Sequence, residues 1–411
     1  MNRLRVILAL ALTFAIFAIL LNSVGTVILQ SFASFGIGKT QASNLELFKD
    51  LSIALASLLL AAYLPRLGYK RAMMSALALV GIACVVMRLY PSFHTAECLF
   101  LCTGIGFAVA KVSVYSSIGL LTRNPGEHAR LTNLIEAQFM LGVLVCGWLF
   151  SAFIDDANPA NPVWFNVYGL LAVICAAVIA LLATSTLDES AAHDTSTHAS
   201  TSSFADMLRL FLRPLVCVFL ICAFLCVLIE QSFSTWLPSF NHAILKLSHA
   251  MSIRVATLLA GALALGRLLA SQVLRRVPWY VLLNVCIVGM GVVVMVVLPL
   301  ARDVIERPGI GWFDAPIAAY LIPLIGLLMA PIYPVINSVA LSALPKASHA
   351  GMTGLIVIFS ALGGTLGSRL TAMTFAAFDG IHAFYLSLLP MSLMLVALYF
   401  FKRETDRIRG G

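Results

Sequence analysis

Residues 281–298 read VLLNVCIVGMGVVVMVVL, eighteen positions with no charge and a single amide, Asn284. At 1.5 Å per residue a helix of that length covers roughly 27 Å, close to the ~30 Å hydrocarbon core of a bilayer. A second run, Ala172 to Ala183, is apolar at every position. Strands of a membrane barrel would alternate in polarity over about 10 residues, so these runs must be helices, which satisfy their own backbone in lipid. The pattern extends along the whole chain of 411 residues, of which 61% are hydrophobic and 11% charged. A soluble domain averages about 25% charged, and an ordinary water-soluble enzyme is excluded.

Twelve apolar runs separate at polar or Pro/Gly breaks: 6–32, 44–64, 72–91, 97–121, 131–153, 163–184, 213–237, 251–273, 279–299, 315–342, 350–373 and 381–401. The first follows Arg3 and Arg5 but continues past Asn22 without a convincing cleavage site, so it is read as a span rather than a secretory signal. The stretch 185–207 is rich in Ser, Thr, Ala and His and has no apolar period, as a flexible linker would. The expected fold is all-α and membrane-embedded, with twelve transmembrane helices in two six-helix bundles. Residues 1–184 form the first bundle, 185–212 a cytoplasmic linker, and 213–411 the second bundle with its tail.

The net charge of +8 would hint at nucleic acid in a soluble protein, but here it records topology. With the N-terminus inside, sixteen of the 26 Lys and Arg fall in cytoplasmic segments and five fall opposite, which places both termini in the cytoplasm. The nine cysteines mostly sit inside apolar runs, and the pairs Cys98/Cys102 and Cys222/Cys226 have helical spacing, so they read as small apolar fillers.

An ionisable residue at mid-depth costs at least about 2.5–3.5 kcal/mol on insertion scales, so each one calls for a reason. Lys111 lies about ten residues, roughly 15 Å, from the cytoplasmic end of its span, too deep for easy snorkelling. It is read either as a cavity cation for a substrate or as half of a buried ion pair. Ser113, Tyr115, Ser116 and Ser117 add hydrogen-bonding groups beside it, and Gly104 and Gly106 permit close helix approach. Glu136, with Gln138 nearby, is the expected partner of Lys111 and a candidate proton carrier, or else a brace for the bundle. Lys49 and Asp50 are expected to snorkel at the outer end of their span, with an outer gate as the alternative, and Arg254 and Arg369 to reach headgroups.

Two short basic turns echo each other after the second span of each half. They are Tyr63-Leu-Pro-Arg-Leu-Gly-Tyr-Lys-Arg71 and Gly266-Arg-Leu-Leu-Ala-Ser-Gln-Val-Leu-Arg-Arg276. In these turns and in its topology the chain resembles the major facilitator superfamily, whose members carry a Gly- and Arg/Lys-rich loop there. The resemblance implies a structural or gating role for Arg66, Gly68, Lys70, Arg71 and Arg267, although the acidic residue usual in the first loop is missing. Two further segments resemble the branch that contains the fucose/proton symporters: Glu230-Gln-Ser-Phe-Ser-Thr-Trp-Leu-Pro238, and Ala330-Pro-Ile-Tyr-Pro-Val-Ile-Asn-Ser338 with Gly363-Gly364.

That resemblance implies alternating access around a central site lined by spans one, four, seven and ten. Asn22, Gln30, Gln231, Trp236, Tyr333 and Asn337 would then line the cavity; helix-to-helix hydrogen bonding is the alternative for Asn22, Gln30, Tyr333 and Asn337, and an interfacial anchor the alternative for Trp236. Glu230 becomes a second candidate proton carrier, or else a structural residue at a bend of its helix. No ATP-binding loop, metal motif or nucleophile elbow is present, so no enzyme activity and no cofactor are expected. The expected protein is a monomeric secondary transporter of the bacterial inner membrane. It would import a small polar solute, a sugar or organic anion, by proton symport. The alternatives are a proton-driven exporter of drugs, siderophores or metabolites, and a receptor that no longer transports.

Overall fold

A computed structural model describes residues 2–60, 64–122, 124–187, 189, 210–302, 304–305, 310–344 and 349–410. The described residues are helical and contain no strand. In chain order the helices are α1 (Asn2–Asn22), α2 (Val24–Phe35), α3 (Lys39–Ala42), α4 (Asn44–Leu60), α5 (Leu64–Leu67), α6 (Tyr69–Leu89), α7 (Phe93–Leu121), α8 (Pro125–Ser151) and α9 (Asn166–Thr184). They continue as α10 (Pro214–Ala243), α11 (His249–Val273), α12 (Trp279–Leu300), α13 (Ala318–Leu321), α14 (Leu324–Met329), α15 (Ile332–Ser342), α16 (His349–Ala377), α17 (Gly380–Tyr385) and α18 (Leu388–Gly410). The predicted linker, 185–212, lies largely outside the described residues.

Among the described residues, eleven helical segments are long and apolar enough to cross a bilayer, and each coincides with one predicted run. The remaining run, 44–64, is α4, which has 17 residues and carries Glu46, Lys49 and Asp50. The first run breaks in its middle. Asn22 Nδ2 donates to the Ala18 carbonyl at 2.8 Å and Ser23 Oγ to the Leu20 carbonyl at 2.7 Å, so polar side chains take over the last carbonyls of α1. The run 315–342 is divided into α13, α14 and α15 around Pro323 and Pro331, each of which lacks the N–H that would continue the ladder. Other starts are set by caps: Ser92 and Thr95 form a capping box for α7, and Asn124 followed by Pro125 opens α8.

The chain divides into two compact units. The first comprises Met1–Val24, Ala33–Phe35 and Leu45–Thr201; the second comprises Gly25–Phe32, Gly36–Asn44 and Ser202–Gly411. Within the first, small residues bring helices into contact, as expected where lipid gives no hydrophobic drive for association. A Cβ at Gly142 of α8 would strike the Ala15 carbonyl and Ala18 methyl of α1, and one at Gly106 of α7 would strike Phe17 and Val80. Gly104 of α7 sits against Ser52 and the Lys49 carbonyl of α4. Within the second unit, Gly363 and Gly367 of α16 lie on the carbonyls of Phe224 and Leu228 of α10. Ser232 Oγ and the Trp236 indole N–H fasten the same pair, donating to the Gly367 carbonyl at 3.2 Å and to Ser368 Oγ at 3.1 Å.

Candidate functional site

Residues 107, 111 and 115 recur at four-residue spacing on α7 and therefore share one face of the helix. In the first unit this face brings together an apolar wall, a cation and an acid. Lys111 is exposed, with its Nζ 5.7 Å from the centroid of the Phe107 ring. Phe107 in turn lies 6.0 Å from Phe139 of α8 and 6.1 and 6.2 Å from Phe14 and Phe17 of α1. Phe14 closes the cluster, 5.4 Å from Phe139 and 5.7 Å from Tyr115, which it meets edge-on. Phe14 and Phe17 are buried, whereas Phe107 and Phe139 are half-buried and present ring surface beside the ammonium.

The Tyr115 hydroxyl donates to Glu136 Oε1. Glu136, the expected partner of Lys111, lies within its electrostatic reach, but among the described residues no carboxylate comes within ion-pair distance of Lys111. The reason is geometric: the acid is held one turn farther along α7, by the tyrosine. The expected hydroxyl lining is also reduced. Ser113 and Ser117 are buried and donate to the carbonyls of Val109 and Ser113, at 2.8 and 2.7 Å, so their protons are used within α7 itself. Asn22 is exposed, with its amide turned back on Ala18.

The second unit gathers a different set. Glu230 and Gln231 are half-buried on α10. Tyr333 of α15 shares a hydrogen bond with Ser360 of α16 at 3.0 Å and lies within electrostatic reach of Glu230. Gln231 Oε1 accepts from Thr235 Oγ1 at 3.5 Å, and Asn337 is half-buried one turn beyond Tyr333. Trp236, expected to line a cavity or anchor at the interface, does neither. It is 0% exposed, packed 5.9 Å from the Phe375 ring and bonded to Ser368, so it is a helix-packing residue. Gln30 is likewise fully buried.

Three other charged groups depart from expectation. Lys49 and Asp50 do not snorkel: Glu46, Lys49 and Asp50 are 0%, 6% and 7% exposed. Lys49 Nζ pairs with Glu46 one turn earlier and lies 3.4 Å from Asp50 Oδ1. Arg369 turns inward, donating from Nη1 to the Thr40 carbonyl at 2.5 Å, to Asn44 Oδ1 at 3.1 Å and to Ser43 Oγ at 3.2 Å.

In the first basic turn Gly68 adopts φ +87°, a conformation costly for any residue with a Cβ, and opens α6. The acid missing from this turn is supplied from after α9: Glu189 Oε1 accepts the Lys70 backbone N–H at 2.7 Å. Lys70 Nζ donates to the carbonyls of Ser185 and Ala183 at 2.7 and 3.1 Å, a cation placed where a helix ends in free carbonyls. Arg71 and Arg267 are exposed, Gly266 packs α11 on the Leu327 carbonyl, and the side chain of Arg66 lies outside the described residues.

Residues 6–368 match the profile of the Major Facilitator Superfamily. No curated protein matches the sequence. Among solved structures, the chain is similar to the nucleoside transporter NupG, at 14% identity and TM-score 0.71, covering 98% of this chain and 99% of that one. It is similar to a D-xylose-proton symporter at 14% identity and TM-score 0.72, covering 98% and 97%. A third likeness is to the E. coli fucose:proton symporter FucP, at 14% identity and TM-score 0.61, covering 98% and 99%.

Proposed function

The chain belongs to the major facilitator superfamily, and from that premise we propose that it is a proton-coupled secondary active transporter, not an enzyme, that imports a small polar organic solute, a sugar or an organic anion. The observation that carries this reading is the α7 face. An intramembrane lysine is kept open beside aromatic rings with no carboxylate at ion-pair distance among the described residues, while Glu136, within its electrostatic reach, is hydrogen-bonded by Tyr115. An ammonium with no other use in lipid is a functional feature by default. Glu136 and Glu230 are the two carboxylates able to load and release a proton, since a carboxylate's proton affinity changes between water and a drier setting. The symporters among the structural neighbours support proton coupling as a direction to test.

The reading also takes residues 1–184 and 213–411 as the two halves, a monomer as the working form, and the bacterial inner membrane with both termini in the cytoplasm as its setting. Import is tested in proteoliposomes with an imposed pH gradient, inside alkaline. Solute is expected to accumulate with the gradient and to equilibrate without it; accumulation that ignores the gradient refutes proton coupling. A second reading, proton-driven export, is favoured by the ring cluster of Phe14, Phe107 and Phe139, because exporters of apolar compounds need such a wall. Accumulation that reverses with the gradient only in inside-out vesicles selects it.

A further inference from the structure

We infer that the solute is an organic monoanion with an apolar, ring-sized body, its anionic group on Lys111 and its body against Phe107 and Phe139. The inference rests on the transporter reading and narrows its choice between sugar and organic anion. The first support is charge. Lys111 is an exposed ammonium on a membrane helix that sits over the face of Phe107; Glu136 lies within its electrostatic reach, but among the described residues no carboxylate is at ion-pair distance. A ring quadrupole attracts a cation at this range, up to about 6 Å, but leaves its N–H donors free. A carboxylate can take those donors directly.

The second support is the wall. An anionic group on Lys111 Nζ places whatever it carries over Phe107, whose ring continues into Phe139 at 6.0 Å. Nothing on that wall offers a hydrogen bond. A sugar would need several donors and acceptors around its hydroxyls. Four of the nearby candidates are committed: Ser113 and Ser117 to their own helix, Asn22 to Ala18, and the Tyr115 proton to Glu136. Burying sugar hydroxyls against phenyl rings would leave them unpaired, whereas burying an apolar body there costs nothing in hydrogen bonds.

The third support is sign discrimination. Lys111 repels cations, and one monoanion moved with one proton carries no net charge. Such transport would be blind to a negative-inside potential that otherwise opposes anion entry.

The test uses purified full-length protein and five probes: phenylacetate, phenylacetamide, phenethylamine, D-xylose and uridine. Binding is read by thermal shift and calorimetry, and movement by counterflow in proteoliposomes. Phenylacetate is expected to bind at least about tenfold tighter than its amide, a difference of one decade in Kd. Lys111→Gln should bring that ratio close to one, Lys111→Arg should keep it, and Phe107→Ala should weaken phenylacetate and phenylacetamide equally. Uptake of phenylacetate driven by a pH gradient should be unchanged when a potassium diffusion potential is imposed. Equal affinity for acid and amide, or binding of none of the probes, overturns the inference. Movement of D-xylose or uridine but not phenylacetate refutes the monoanion and leaves the transporter standing. Binding of phenylacetate without counterflow of any probe refutes transport and leaves the anion site standing.

Discussion

Lys49 and Lys111 belong to the same compact unit, each on a helix of an apolar run, and they end in opposite states. Lys49 is 6% exposed and shares its ammonium between Glu46 and Asp50, both on its own helix. Lys111 is exposed, rests over a ring and has no carboxylate within ion-pair distance among the described residues. Both pay the cost of a charge in lipid. Lys49 recovers it by local pairing, with acids one residue and one turn away, so its role is complete inside the fold. Lys111 has no hydrogen-bond acceptor among the described residues, which leaves its donors open to something from outside the chain. A charged residue in a membrane helix is thus informative about function to the degree that its own protein leaves it unsatisfied.

The sharpest way to break the comparison is Lys49→Met. Removing one member of a buried ionic cluster strands the others, and a loss of about 3–5 kcal/mol is expected. Thermal unfolding in detergent measures it. Replacing all three groups together, with Glu46→Gln, Lys49→Met and Asp50→Asn, should recover part of that loss, because removing a whole buried pair is close to neutral. A single variant as stable as the wild type would mean that Lys49 is no more committed than Lys111. The reciprocal change, Lys111→Gln, should alter stability by no more than about 0.5 kcal/mol, as for other exposed positions. Uptake should nevertheless fall about tenfold or more, the ratio expected when an ionic contact to solute worth about 1.4 kcal/mol is removed. A large stability loss with intact uptake would exchange the roles of the two lysines.

Sequence reading reached Lys111 but not the arrangement around Lys49, and the difference has a physical cause. Lys111 stands out because no other charged residue lies between Cys98 and Leu121 of α7, so its depth follows from counting. Glu46, Lys49 and Asp50 sit near the start of a short helix, where charges ordinarily reach water. Their burial depends on how closely α4 meets α7, through the contact of Gly104 with Ser52 and the Lys49 carbonyl. That contact joins residues about fifty positions apart and leaves no local pattern. The spans were legible because each run announces itself within its own eighteen or so residues. Trp236 was misread for the same non-local reason: its indole partner, Ser368, is 132 positions away. Glu136 was read as the partner of Lys111 and does lie within its electrostatic reach, but its hydrogen bond comes from Tyr115; helical spacing does not tell Tyr115 from Lys111.

Tyr115→Phe tests that last distinction. Hydrogen bonds to an ionised group contribute about 1.5–3 kcal/mol, and the lower end is expected because both residues are half-buried. A loss of roughly 1.5 kcal/mol in unfolding free energy, absent when Glu136→Gln is already present, would establish the pair by a double-mutant cycle. Equal losses in both backgrounds would free Glu136 from Tyr115 and return it to Lys111 as a partner.

The smallest effect is expected at Glu189, and it extends the comparison from lysines in lipid to a lysine at its edge. Lys70 resembles Lys49 in being satisfied by the chain, but its partners come from 113 to 119 positions away, the carbonyls that close α9 and a carboxylate beyond them. The acid missing from the basic turn is therefore replaced in space rather than in sequence. Because Glu189 binds a backbone N–H at a helix start, its loss frees one end of α6 without stranding a buried charge. Glu189→Ala should cost about 0.5–1.5 kcal/mol, the net value of an ordinary hydrogen bond. Global unfolding would barely register such a change, whereas amide exchange of the peptide holding Lys70 should accelerate about threefold to tenfold, since exchange there reports local opening. Glu189→Gln keeps an acceptor oxygen and should restore most of the protection. Exchange that is unchanged in the alanine variant would show that the Lys70 ammonium on the α9 carbonyls holds the turn by itself.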